Sequence, residues 1–465
     1  MKIYNTATRQ KEDLKTIKEN QVGVYSCGPT VYSSPHIGNM YAYVCWDVLA
    51  RTLKYLGYKV HNVINITDVG HLTSDADSGE DKMEKGSKKE GMTVWEIAKK
   101  YENEFLENLS ELNIELPWKM PRATDHIHEQ IDLIKKIEAN GFTYQTSDGI
   151  YFDTSKFADY GKFANLNLDK IREGARVEIN EEKKNPTDFA LWKFSPKNEK
   201  RQMEWDSPWG IGFPGWHIEC TAMSTKYLGD VFDIHTGGED HIPVHHTNEI
   251  AQGYGAFGKM TANYWMHNAF ITFGGSKISK SSGGLYTVKD LEEMGFDPMA
   301  YRYLVLGSHY RKGMEFSIEN LKAASIRLDK IRSILNLWRE SLKKEKIELN
   351  LQPDELFKNK FINAITNDMA MPEALAVVSE LLDSNLSFEK RYATLLDFDK
   401  VLGLELDREV GKEEIPKEVT ELAEERKLAR ENKNWAESDR LRDLIREYGY
   451  LVEDSQNSCK LLKLK

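Results

Sequence analysis

A chain of 465 residues is too long for one ordinary hydrophobic core, so two to four domains are expected. With 40% hydrophobic and 29% charged residues it reads as a globular protein of aqueous solution, and no apolar run approaches the roughly 20 residues of a membrane span. The net charge of −11 argues against non-specific polyanion binding, while leaving room for a specific nucleic-acid partner held by local basic patches.

The N-terminal stretch MKIYNTATRQKEDLKTIKEN is charged and lacks an apolar segment with a small-residue cleavage site. No signal peptide is therefore expected, and the cytoplasm is the expected location. Four cysteines, Cys27, Cys45, Cys220 and Cys459, show no disulfide framework, which favours metal binding or burial.

From Gln21 an apolar run, Val22 to Ser26, leads into a Gly/Pro/Ser loop. An amphipathic helix from Asn39 to Leu56, a turn at Gly57 and a β-branched strand from Lys59 to Ile66 follow. This is a βαβ unit, the building block of an open parallel sheet, and it places the chain in the α/β class. At the junction of loop and helix, His36 and the backbone N–H groups of a helix N-terminus suit an anionic phosphate; a helix-starting turn with a solvent-facing His would look the same. The stretch from Asp68 to Gly91, acidic first and then basic with no apolar periodicity, predicts a mobile loop. His71 and its aspartates could suggest a second metal, but a solvated loop is the simpler reading. Helices are predicted over Val94 to Leu112 and Ile127 to Asn140, followed by alternating strands in FTYQTSDGIYFDT, a Lys/Glu-rich linker and NPTDFALWKF.

The densest chemistry lies in GWHIECTAMSTKYLGDVFDIHTGGEDHIPVHHTNEIAQ, from Gly215 to Gln252, where a cysteine, five histidines and several carboxylates crowd together. Cys220 lies three positions after His217 in an amphipathic run, and His245 and Glu249, four apart, share one helix face. The three could converge on one ion. Zinc suits Cys, His and Glu best, and normally takes four ligands; Cys27, between a predicted strand and a Gly-Pro turn, is the fourth candidate. Singly, each of these residues is as well explained by a buried thiol or a helix-capping His, and only their crowding argues otherwise.

Further on, a strand-like His267 to Phe273 precedes a Gly/Ser loop carrying Lys277 and Lys280, which could close over a triphosphate. Helical periodicity then predicts Ile318 to Leu342, Leu356 to Ile365, Pro372 to Leu382 and Phe388 to Val401, with Pro372 in a first turn. A charged linker from Asp407 to Pro416 leads to two helices joined near Lys433 and Asn434.

HIGN at 36–39 and KISKS at 277–281 resemble the paired HIGH and KMSKS signatures of class I aminoacyl-tRNA synthetases. Together with Cys27, Cys220, His245 and Glu249 in GWHIEC and HHTNEIAQ, and with NITD, GARV, LWK and SHYR, the pattern resembles the cysteinyl-tRNA synthetase family over essentially the whole chain. Two departures stand out: Asn39 for the second His of HIGH, and Ile278 for the Met of KMSKS. Asn still donates to a phosphate oxygen and Ile keeps apolar packing, so activity is expected to survive both.

The resemblance implies a Rossmann-like parallel-sheet catalytic domain split by an insertion, then a helical bundle and a small anticodon-binding domain. Its expected segments are 1–115 and 206–310 for the two catalytic halves, 116–205 for the connective insertion, 311–406 for the bundle, and 407–465 for the linker and anticodon unit. It implies activation of L-cysteine by ATP, transfer to tRNA(Cys), one Zn²⁺ per chain on Cys27, Cys220, His245 and Glu249, Mg²⁺ travelling with ATP, and a monomer. His36, Asn39, Lys277 and Lys280 would stabilise charge at the phosphates. Gly237, Gly238 and Asp240 would meet the adenosine, Trp216 would wall the amino-acid pocket, and Arg430, Trp435 and Asp439 would read tRNA bases. Two other readings differ in kind: a ligase joining activated cysteine to an amino-sugar inositol, and a tRNA-binding regulator without catalysis. The C-terminal unit weighs against the first; the retained lysines and metal ligands weigh against the second.

Overall fold

A computed structural model of the chain describes residues 1–70, 81–166, 182–196, 201–274, 276–277, 285–345, 352–408, 417–432, 434–448, 450–454 and 459–463. The chain opens with a hairpin, β1 (Lys2–Asn5) and β2 (Gln10–Asp13), and continues into β3 (Gln21–Ser26), helix α1 (Ile37–Tyr55) and β4 (Lys59–Ile64). β3 and β4 pair in parallel from Gln21 opposite Lys59 to Ser26 opposite Ile64, as a βαβ unit requires. Helix α1 is buried on almost every side, from Met40 through Leu53, so its apolar residues do not form a single stripe.

Helices α2 (Lys82–Glu90), α3 (Val94–Glu111) and α4 (Ile127–Ala139) follow. The first corrects the expectation of a loop throughout 68–91. Asp81 caps it by accepting from the N–H groups of Met83 and Glu84, Gly91 ends it in the left-handed conformation, and Met83 is fully buried. One anchoring methionine and two caps suffice for nine residues too polar to show periodicity. The earlier part, with His71, lies outside the described residues.

An antiparallel sheet comes next, in the order β5 (Thr143–Gln145), β6 (Gly149–Phe152), β7 (Phe189–Phe194) and β8 (Gly212–Pro214). Its inner face, with Ile150, Phe152, Phe189, Leu191 and Trp192, packs on Ile131, Ile134 and Ile137 of α4. The same cluster takes in Ile218 of α5 (Trp216–Leu228) and Ala251 of α6 (Thr247–Phe257).

Between α5 and α6 the chain forms β9 (Phe232–Gly238) and a π-helical turn, Ile242–His246. After α6 it forms β10 (Ala262–Asn268), which completes a four-stranded parallel sheet in the order β10-β9-β3-β4. The expected strand from His267 to Phe273 is in fact two. The backbone turns at Ala269, whose N–H bonds Tyr310 O, and β11 (Ile271–Phe273) joins a separate small sheet with β12 (Ser276–Lys277) and β13 (Met314–Glu315). Lys277 therefore lies on a strand paired opposite Thr272 rather than in a loop, while Ile278 and Lys280 lie outside the described residues.

Beyond Pro298–Leu306 the chain is a stack of helices, Ile318–Glu345, Glu355–Thr366, Met371–Leu382 and Phe388–Leu402, whose apolar faces share one continuous core with α1. The last two helices, Lys417–Glu431 and Trp435–Glu447, close on a hairpin, Tyr450–Asp454 with Cys459–Lys463, that the sequence pattern did not disclose. Val419, Ala423, Ile445 and Tyr450 make their small core.

A buried polar knot ties α1 to the helical stack. Arg302, fully buried, donates to Asp47 Oδ2 at 2.5 Å, Leu402 O at 2.8 Å and Leu112 O at 3.0 Å. Arg51 donates to the same Asp47 oxygen at 2.7 Å. Gly403 has φ +61°, and a Cβ there would lie 2.6 Å from Arg302 Nη2, so glycine is required for two reasons at once. Arg302→Ala leaves Asp47 with only Arg51 and the Glu115 N–H and strands buried carbonyls from two other segments, so urea unfolding should show a loss of about 3–5 kcal/mol; a change under 1 kcal/mol would mean that water replaces the guanidinium.

Candidate metal and nucleotide site

In the parallel sheet, β4 lies on one side of β3 and the later strands β9 and β10 on the other. The crossover connections therefore leave β3 and β9 in opposite directions and open a crevice beyond their carboxyl ends, where ligands of open α/β sheets bind. Cys27 is the residue immediately after β3, and its N–H bonds Thr236 O at 3.2 Å, which fixes it over that crevice. The next residue must be glycine. A Cβ at Gly28 would lie 1.5 Å from Asn65 O, a collision with backbone that no side-chain movement relieves.

Cys220 enters from the first turns of α5, while His245 and Glu249 descend from the π turn and the start of α6. The ligand atoms of Cys27, Cys220, His245 and Glu249 all lie within 4.8 Å of one another. His245 Nε2 is buried and makes no hydrogen bond, although Glu249 Oε1 is 3.1 Å away. A ring nitrogen grouped with two sulfurs and a carboxylate oxygen, all desolvated, is a donor set that a divalent cation satisfies. These four residues could hold a metal ion.

The electrostatics point the same way. Burial works against ionising Glu249, but His235 and His245 outweigh it and hold the carboxyl down at about 2. Burial likewise works against protonating His245, yet Cys220 and Glu249 raise it to about 10. The hydrogen bond from Cys27 brings Cys220 down to about 7 despite its burial, whereas burial and the neighbouring Cys220 push Cys27 up. Cys220 is thus the more readily ionised of the two thiols. A cation bound here would be linked to loss of protons from the thiols and the imidazole.

Around this group lies a shell of histidines that residue spacing did not reveal. His235 Nε2 is 2.9 Å from Glu249 Oε2, His217 Nδ1 is 3.0 Å from His245 Nδ1, and His246 Nε2 is 3.3 Å from Cys27 Sγ. Cys27, His235, His246 and Glu249 form a second set with ligand atoms within 4.8 Å. The only cue was the run of five histidines itself, which did not separate ligands from their supports. The inserted sheet also reaches the site, where Phe189 meets His217 edge-on with ring centroids 5.7 Å apart. That sheet showed no chemistry at the level of sequence.

Trp216, the first residue of α5, lies against His245 with ring centroids 4.7 Å apart. Gly237 and Gly238 end β9. A Cβ on Gly237 would come within 2.6 Å of His241 Nδ1 and 2.7 Å of His246 Cε1, so the histidines already demand glycine there; Asp240 stands exposed just beyond. At the start of α1, the His36 N–H donates to Asn39 Oδ1 at 3.1 Å, which engages the oxygen of this exposed side chain and leaves its amide nitrogen the donor group. In the C-terminal unit Arg430, Trp435 and Asp439 are all exposed, with the Arg430 guanidinium 5.8 Å from the Trp435 ring and Asp439 paired to Arg442 at 3.0 Å.

Comparison with known proteins agrees with this geometry. Residues 13–326 match the family model described as the tRNA synthetases class I (C) catalytic domain. Over 462 residues the chain is 48% identical to cysteine–tRNA ligase 1 of Burkholderia lata, covering 99% of this chain and 96% of that protein. Over 490 residues it is 43% identical to the cysteine–tRNA ligase of Treponema denticola, covering 100% of each. Among solved structures, methionyl-tRNA synthetase of Mycobacterium tuberculosis in complex with methionyl-adenylate superposes with a TM-score of 0.56 at 15% identity, covering 83% of this chain and 90% of that one, a likeness of fold. With the whole chain aligned to cysteine–tRNA ligases and the parallel-sheet domain matched by its own family model, the chain belongs to the cysteine–tRNA ligase family of class I tRNA synthetases.

Proposed function

We propose that the protein activates L-cysteine with ATP and passes the cysteinyl group to tRNA(Cys) in the cytoplasm, releasing pyrophosphate and AMP. One observation carries the reading: four donors suited to zinc converge beside Trp216 at the crevice of the parallel sheet. Zinc held by Cys27, Cys220, His245 and Glu249 supplies a soft electrophilic centre that prefers a thiolate to a hydroxyl.

The chain's own residues do the rest by placement. The nucleophile of the first step is the substrate's carboxylate, which attacks the α-phosphate as pyrophosphate leaves, so no side chain need be covalently engaged. His36 and the amide of Asn39, at the N-terminus of α1, donate to phosphate oxygens where the helix dipole favours negative charge. Lys277 and Lys280 neutralise the charge that develops as the phosphates separate, and Mg²⁺ accompanies ATP. Gly237 and Gly238 let the adenosine approach β9, and Asp240 accepts from its ribose. In the second step the terminal ribose hydroxyl of tRNA attacks the activated carbonyl. Residues 116–205 form the connective insertion between the catalytic halves 1–115 and 206–310, 311–406 the bundle, and 407–465 the anticodon unit. In that last unit Trp435 stacks on a base while Arg430 and Asp439 pair with base edges.

Cysteine-dependent ATP–pyrophosphate exchange followed by tRNA charging tests the whole reading: exchange without charging would leave a ligase for another acceptor, and no exchange would leave a binding protein. Lys280→Ala should slow adenylate formation by about 10²–10³-fold, the usual consequence of losing one donor to developing charge. Cysteine affinity should hardly change; a large loss of affinity with unchanged turnover would contradict the assignment. Selectivity is the second test. Packing against a side chain as small as cysteine's yields only about 1–3 kcal/mol, so rejection of serine must come from the sulfur-preferring centre. Cys220→Ser should lower bound zinc, cysteine affinity and the cysteine-to-serine ratio in exchange together, and a metal-free enzyme that still strongly selects cysteine would refute the role.

A further inference from the structure

Thr6 lies outside the segment matched by the family model, just after β1, yet a chain of polar contacts leads from it to the metal cluster. Its N–H donates to Trp265 O at 2.8 Å, which seats it on the outer strand β10. Thr6 Oγ1 is 2.8 Å from His267 Nδ1, His267 Nε2 is 2.7 Å from His246 Nδ1, and His246 Nε2 is 3.3 Å from Cys27 Sγ. Glu249 Oε1, the competing acceptor for that last nitrogen, is farther away at 3.9 Å. Both rings are buried, His246 completely and His267 to 6% exposure.

A neutral imidazole has one N–H and one lone pair, so a row of such rings can point in only one direction at a time. A thiolate that serves as a metal ligand has no proton to give. His246 Nε2 must then be the N–H that faces Cys27, its Nδ1 must accept from His267 Nε2–H, and His267 Nδ1 must accept from the Thr6 hydroxyl. The hydroxyl is the one member able to begin the row as a donor without placing a charge in the core.

We propose that Thr6 is a positioning residue of the metal site. Through His267 and His246 it sets the tautomers that hold an N–H against the Cys27 sulfur. The inference rests on the metal reading above. The N–H···S bond stabilises the sulfur lone pairs and fixes the direction of the thiolate, as outer partners do for other ligands.

The experiment compares wild type, Thr6→Val and Thr6→Ser in the full-length protein. Val has the shape of Thr without the hydroxyl; Ser restores it. Zinc affinity is measured by chelator competition, and the sulfur-to-metal charge-transfer band is recorded after Co²⁺ substitution. Thr6→Val should weaken zinc binding by about 10-fold, the lower end of the range for outer partners. It should also move the charge-transfer band to longer wavelength, while Thr6→Ser stays with wild type on both measures. A looser fold alone would not shift the band and be rescued by serine. Equal affinity and an unmoved band in all three proteins would overturn the relay and leave the metal reading intact; a wild type that binds neither ion would remove both.

Discussion

The structure depends on keeping a set of ionisable groups out of water without leaving any of them uncompensated. Glu249 is the centre of this constraint. Its side chain is almost fully buried, and its two oxygens are divided, Oε2 toward His235 and Oε1 toward His245. An isolated carboxylate at that depth would be driven to its neutral form, and two thiols sharing the pocket add to the pressure. The surrounding histidines meet it by direct pairing, His235 against one oxygen and His245 against the other. This explains why the glycine at 237 is needed for ring packing as much as for any ligand.

That arrangement is possible because of the order of the sheet. Cys27 follows the first strand of the βαβ unit, whereas Cys220, His245 and Glu249 come from a segment about two hundred residues later. They meet because β9 pairs directly with β3, with Val24 opposite Ile234 and Ser26 opposite Thr236. The antiparallel sheet contributes by burying the outer faces of α5 and α6, through Ile218 and Ala251, so the helices carrying Cys220 and Glu249 are clamped between two sheets.

Much of this was legible beforehand, for identifiable reasons. The βαβ unit has long, strongly patterned elements, and α1 was located to within two residues at its start. Cys220, His245 and Glu249 stood out because soft and charged donors rarely crowd into one stretch, and Cys27 followed as the fourth candidate that a tetrahedral ion requires. What escaped was decided by tertiary contact. The helix Lys82–Glu90 has only Met83 as a fully buried anchor, and its polar face gives no period. The break at Ala269 depends on a bond to Tyr310, forty-one positions away, that no local pattern encodes. His235 and His246 could not be told from ligands, because whether an imidazole touches a metal or a metal's ligand is a matter of an ångström or two.

Helix α1 has a mechanical consequence. Its nineteen residues extend about 28 Å. One end carries His36 and Asn39, and the middle is pinned at Asp47 by Arg51 and by Arg302 from the helical stack. A helix packed on nearly all sides and pinned at its middle has little freedom to bend or tilt, so the arm between Asp47 and the N-terminus acts as a rigid strut. That arm, roughly ten residues and so about 15 Å long, sets where His36 and Asn39 stand relative to the helical stack.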